Sequence, residues 1–156
     1  GVGRRAVARR VGPMIVVVTG SRSITDPDAV ARAIEAAVTG PLGAYGLVSE
    51  VAELWHGGAR GVDSTAEAWA TDRGVKVRRW PVSPKEWGNH PKMAGKRRNY
   101  RMMKAAHADG RCVLVVAVWD GISVGTAHAI GWAVAMGLSV HVEHVRTEVR
   151  AWAARS

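Results

Sequence analysis

The sequence predicts an α/β fold, a doubly wound parallel sheet of about five strands in the order 3-2-1-4-5 with helices on both faces. Three observations carry that expectation. Strand-like and helix-like segments alternate along most of the chain. The runs at 14–19 (MIVVVT) and 113–119 (VLVVAVW) are continuously apolar and rich in Val, as strands covered on both faces are. Glycine-bearing polar turns follow the strands at 20–22, 57–61 and 120–126 and open helical patterns.

Taken in order, the first strand runs over 14–19 and ends in Gly20-Ser21-Arg22. A helix then starts with Asp26 as N-cap and Pro27 at its first position, because Pro lacks only an N–H that no helix uses there. Val30, Ala33, Ile34, Ala37 and Val38 share one face, and Gly40-Pro41 ends it. The stretch 47–54 is ambiguous, with a strand somewhere in 51–56 leading into HGGARG (56–61). A second helix follows from about 63 to 73 and stops at Gly74. Residues 75–80 form the third strand, 81–91 a loop with three prolines, and 94–108 the third helix. After the strand at 113–119 comes a helix over about 126–136, a strand at 138–142 and a short helix at 147–154.

Right-handed crossovers place the switch in strand order between the strands at 14–19 and 113–119. Ligands of such sheets bind beyond the carboxyl ends of the strands flanking that point. GSR (20–22) and DGISVGT (120–126) emerge there.

The bulk properties agree. A chain of 156 residues, 47% apolar and 22% charged, is an ordinary globular protein with one core, assigned to 14–156. A domain of this size buries about 70% of its unfolded surface and needs no staple. The single cysteine, Cys112, makes no intramolecular disulfide and is expected as a buried thiol in a reducing, cytoplasmic compartment. No apolar run approaches the roughly 18 residues of a membrane span. The basic start has too few apolar residues for a signal-peptide core. Residues 1–13, with Arg4, Arg5, Arg9 and Arg10, read as a disordered arm or an upstream extension before Met14. Without those four charges the net +9 falls to +5, modest for a dedicated nucleic-acid binder.

Each turn has chemistry to offer. Gly20 permits close backbone approach, while Ser21 and Arg22 can hold a phosphate, Arg by two parallel hydrogen bonds. Gly57-Gly58-Ala59-Arg60-Gly61 opens a helix whose amino end suits an anion; Asp63 there either caps the helix or bonds a ribose hydroxyl. Asp120, Gly121, Ser123, Gly125 and Thr126 bring a carboxylate, two hydroxyls and two glycines to another helix start. Lys96-Arg97-Arg98-Asn99 forms a basic cluster able to supply charge over the crevice. Trp87 reads as a base-stacking ring or as a plug for the core. The six histidines show no metal-ligand spacing, and no GxSxG elbow is present.

Read together, TGSR (19–22), HGGARGVDSTAEAWA (56–70), PKMAGKRRNYRM (91–102) and WDGISVGTAHAI (119–130) resemble the SLOG superfamily, which groups DprA/Smf proteins with LOG-type phosphoribohydrolases. Within it the sequence is similar to the small YspA/YpsA-like branch of phage and bacterial genomes. The resemblance implies a Rossmann-like fold and a nucleotide or ADP-ribose-like ligand. It nominates Gly20, Ser21 and Arg22; Gly57, Gly58, Arg60, Gly61 and Asp63; Arg98 and Asn99; and Asp120, Gly121, Ser123, Gly125 and Thr126. It also implies a homodimer or tetramer. The apolar helix around 130–136, which carries Trp132, either forms an interface or packs on the sheet. LOG enzymes carry PGGxGTxxE, and matching its GT to Gly125-Thr126 puts Ala129 where the Glu stands. The first expectation is therefore a binding module, a sensor or sequestering protein in phage–host conflict. The alternatives are a nucleoside-phosphate glycosidase using Asp120 and a DprA-like nucleic-acid binder.

Overall fold

Along the first strand, β1 (Met14–Gly20), the side chains of Met14, Val16 and Val18 enter one hydrophobic cluster and those of Ile15 and Val17 another, all fully buried. A strand with two buried faces needs layers on both sides, and this alternation sets the architecture. The computed structural model describes residues 13–40 and 47–146. Most of the expected basic arm and the helix expected at 147–154 lie outside them.

Among the described residues β1 is joined by β2 (Val51–His56), β3 (Lys76–Arg79), β4 (Cys112–Trp119) and β5 (Ser139–His144). They form one sheet, every pairing parallel, in the order β3-β2-β1-β4-β5. That is the order expected from the crossovers, with the switch between β1 and β4.

The even-numbered side chains of β1 face α1 (Pro27–Thr39) and α2 (Val62–Asp72), through Ile34, Val38, Ala66 and Trp69. The odd-numbered ones face α4 (Ala94–Asp109) and α5 (Val124–Ala135), through Met102, Met103, Ala129 and Ala133. Full burial of each Val or Ile is worth about 1.5–3 kcal/mol. The start of α1 follows the expected cap, with Asp28 N–H donating to the Asp26 carboxylate at 3.0 Å.

Four details refine the expectations or depart from them. The 81–91 loop contains a short helix, α3 (Pro84–Asn89). Its three prolines argue for a loop, but Ser83 is an N-cap that accepts from Glu86 N–H at 3.1 Å, and Pro84 takes the first helical position. Residues 48–50 form a 3₁₀ turn that delivers the chain into β2. Cys112, at the edge of the first cluster, is half-buried rather than buried, and burial raises its thiol pKa. Trp132 stands edge-on to Tyr100 of α4, ring centroids 4.8 Å apart, and is 39% exposed, while its helix packs on the sheet through Ala129 and Ala133.

One turn is fixed by close approach. Gly61 has φ of 78°, and a Cβ there would lie 2.5 Å from the backbone carbonyl oxygen of Arg22. Gly61→Ala is expected to cost roughly 3 kcal/mol in urea denaturation, from backbone strain and the clash together. Gly131→Ala, inside α5 with nothing within 4 Å of the added carbon, is expected to gain up to about 1 kcal/mol.

Candidate ligand-binding crevice

The carboxyl ends of β1 and β4 and the start of α2 are knitted together by Ser21, which is 1% exposed. Its N–H donates to the Val118 carbonyl at 3.1 Å, and its hydroxyl oxygen accepts from Asp120 N–H at 3.0 Å. Its carbonyl accepts from Ile24 and Val62, each at 3.3 Å, so the first N–H of α2 points at this turn. The three glycine-bearing corners thereby meet around one cavity of about 600 Å³.

The β2–α2 turn is built inward. Asp63, in the first turn of α2, sends its Oδ2 back to accept from Gly57 N–H at 3.1 Å and Ala59 N–H at 3.2 Å. Gly58 N–H donates to His56 Nδ1 at 2.9 Å, which makes Nε2 the protonated nitrogen, and Nε2 donates to Glu67 at 2.6 Å. Glu67 also receives Arg79 through two bonds of 2.6 Å. Hydrogen bonding from Arg79 outweighs burial, and His56 adds to it, holding the Glu67 carboxyl at about 2 against an ordinary 4.5. Burial dominates at Asp63 and raises its pKa despite His56, the Ala59 and Gly57 N–H groups and Arg98. Asp63 Oδ1 is buried with no hydrogen-bond partner among the described residues. Asp63 thus caps the preceding turn, while Gly61 holds the N-cap position of α2.

Arg98, 8% exposed on α4, ties that turn to the rest. Its Nη1 donates to the carbonyls of Gly57 and, at 3.2 Å, Trp80, and its Nε to Asn99 Oδ1 at 2.8 Å. Asn99 in turn donates to the Gly125 carbonyl at 3.4 Å. Burial lowers the guanidinium pKa of Arg98; the Asp63 carboxylate works against that and the charge of Arg22 adds to it.

At the third corner Asp120 Oδ1 accepts from Ile122 and Ser123 N–H, both at 2.8 Å, and Oδ2 from the Ser23 hydroxyl at 3.2 Å. Burial alone would raise its pKa, but those donors and Ser21 outweigh it and the pKa is lowered. Ser123 is the N-cap of α5, accepting from Thr126 N–H at 3.4 Å. The N–H groups of Val124 and Gly125, at the head of a twelve-residue helix, have no partner within it. Gly125 is required neither by φ nor by packing: an added Cβ would meet nothing within 4 Å, and the residue lines the cavity.

Among the residues singled out in the sequence, Gly20, Ser21, Arg22, Gly57, Asp63, Arg98, Asn99, Asp120, Ser123, Gly125 and Thr126 line the cavity. Gly58 and Arg60 line a smaller lobe beside it. Gly61 lies beneath the first turn, and Gly121, with φ of 80°, bends the β4–α5 loop. Trp87, carried by α3 and 39% exposed, forms a wall of the cavity instead of plugging the core. Two bonds of 2.9 and 3.0 Å between Glu86 and Arg101 fasten α3 to α4. Lys92 and Lys96 add charge, so four cationic side chains face the cavity against two carboxylates. His56, Glu67 and Arg79 went unnoticed in the sequence, although Asp63 and Glu67 at i, i+4 share one face of α2. Ala129 is fully buried against the sheet, so the cavity receives no carboxylate from that position. No group of three His, Cys, Asp or Glu residues among the described residues is arranged to hold a metal ion. None of the described helices is long and apolar enough to cross a membrane.

A parallel doubly wound sheet with a basic crevice at its switch point defines a Rossmann-like α/β domain. The chain belongs to the YspA, cpYpsA-related SLOG family, whose family model (YAcAr) matches residues 14–90. It is similar to the Gene 61 protein of Mycobacterium phage D29, with 36% identity over 129 residues, covering 80% of this chain and 92% of that protein.

Asp63→Ala, which strands two buried N–H groups, is expected to cost about 2–3 kcal/mol by urea denaturation; Asp63→Asn keeps an acceptor and loses less. Because the folded pKa of Glu67 lies below its unfolded value, its contribution is complete above about pH 4.5 and is lost as pH falls toward about 2. Melting temperatures recorded across that window are expected to fall less steeply in Glu67→Gln, which starts about 1 kcal/mol less stable at neutral pH.

Proposed function

We propose that this chain binds a phosphorylated nucleotide or nucleotide derivative in the crevice at the carboxyl ends of β1, β2 and β4. One observation carries the reading: the cavity has a surplus of cations, and its two carboxylates are already engaged by N–H groups of the protein. The cationic wall therefore has charge to offer an anion. The Arg22 side chain makes no hydrogen bond or ion pair among the described residues and stands exposed at the cavity. The head of α5, with its N–H groups and positive dipole end, suits a phosphate. Trp87 supplies an aromatic face for a base. The volume of about 600 Å³ lies within the usual range for small-molecule sites.

Binding is favoured over glycosidic hydrolysis because Asp120, the carboxylate nominated for that chemistry, is held as an anion by its turn, and Ala129 stands where LOG enzymes carry Glu. A lowered pKa makes a weak general base and a poor acid. The similarity to a phage protein supports a phage origin, and the role that follows from binding such a ligand there is that of a sensor or sequestering module in the bacterial cytoplasm.

Calorimetry against AMP, ADP-ribose and cyclic nucleotides tests the reading. At least one ligand is expected to saturate a single site, with Arg22→Ala weakening it about tenfold. Titrations flat for every ligand, or an unchanged affinity in Arg22→Ala, would remove the proposed site. Chromatography of the same mixtures is expected to show no released base; release abolished by Asp120→Ala would replace binding with hydrolysis.

A further inference from the structure

Beside the main cavity lies a second one of about 310 Å³, lined by Arg22, Gly58, Arg60, Pro81, Trp87 and Arg98 among others. Arg22, Gly57, Ala59, Trp87 and Arg98 line both, so the two lobes adjoin across a shared wall. No carboxylate lines the smaller lobe, while three arginines do. Arg98 is spent on the carbonyls of Gly57 and Trp80. Arg60 is exposed, its side chain makes no hydrogen bond or ion pair among the described residues, and it lines this lobe rather than the main cavity. Arg22, between the lobes, stands close enough to Arg98 for its charge to lower that guanidinium's pKa, burial being the larger cause. Arg98 has the Asp63 carboxylate beside it, whereas the Arg22 and Arg60 side chains make no ion pair among the described residues, and an anion placed between two such cations is stabilised by both.

We propose that this lobe is a second anion subsite, so that the ligand carries two phosphoryl groups: the first in the main cavity, the second beyond Trp87 at Arg60 and Arg22. The ligand class is then a nucleoside 5′-diphosphate or a nucleotide linked through a diphosphate. This rests on the proposed function and narrows it. The lobe is walled by Pro81 and Val82 on its far side, which leaves room for a phosphoryl group and a small substituent.

AMP and ADP differ by the one phosphoryl group in question, so titrating both into the full chain isolates the lobe. The wild type is expected to bind ADP about tenfold more tightly than AMP. Arg60→Ala, at an exposed position, is expected to bring ADP to within about threefold of AMP while leaving AMP affinity unchanged. Val82→Trp, which fills the lobe, is expected to do the same without touching a charge. Equal affinities in the wild type overturn the second subsite and leave the proposed function standing. An ADP preference that survives both variants does so too, as does an Arg60→Ala variant that weakens the two ligands alike. Absence of binding by either nucleotide overturns the subsite, and the proposed function falls with it if the other ligands named above also fail to bind.

Discussion

The geometry of this protein depends on the backbone and hydroxyl of Ser21. Its N–H, hydroxyl and carbonyl reach the end of β4, the first residue of the β4–α5 loop and the start of α2. Glycine on its amino side makes this contact possible, because a Cβ at Gly20 would meet the Val118 carbonyl and the Val62 side chain at 2.5–2.6 Å. Two strands and one helix converge on a point where no side chain larger than hydrogen fits. Ser21 was read from the sequence as a ligand contact. It lines the cavity, but most of its hydrogen-bonding capacity is used to assemble the cavity wall.

A similar inward use of polar groups recurs at the other corners. The N–H groups of Gly57, Gly58 and Ala59 look in sequence like an open anion nest, yet all three bond to Asp63 or His56. The Asp120 carboxylate holds its own loop. Among the described residues the side chains of Arg22, Arg60, Lys92 and Lys96 make no hydrogen bond or ion pair, and the leading N–H groups of α5 have no partner within their helix. Charge donated by flexible side chains over a rigid backbone frame is an arrangement suited to holding an anion with little reorganisation of the frame.

The strands and their order were legible because a buried strand writes its environment directly as a run of Val and Ile, and handedness leaves few ways to connect such strands. The convergence of the three turns followed from that order. The partners of individual groups were not legible. Asp63 is written identically whether it caps a helix, binds a ribose or turns back onto residues 57–59, and only the third dimension decides. The helix Pro84–Asn89 was hidden by its prolines, though Ser83 and Glu86 three residues on are a start signal. Arg98 and Asn99 sat within a basic run that reads as a solvated face, while the helix rotates these two inward and leaves Arg97 and Arg101 outside.

Gly57 and Arg98 are 41 positions apart, yet the guanidinium occupies the space a side chain at 57 would need, its Cζ 2.5 Å from where a Cβ would stand. The two residues are therefore coupled in space. A side chain at the first position would displace the guanidinium from the Gly57 and Trp80 carbonyls, and a shorter residue at the second would open space beside the first. Divergence at this corner is therefore expected to proceed by paired exchange, the arginine persisting where the glycine does.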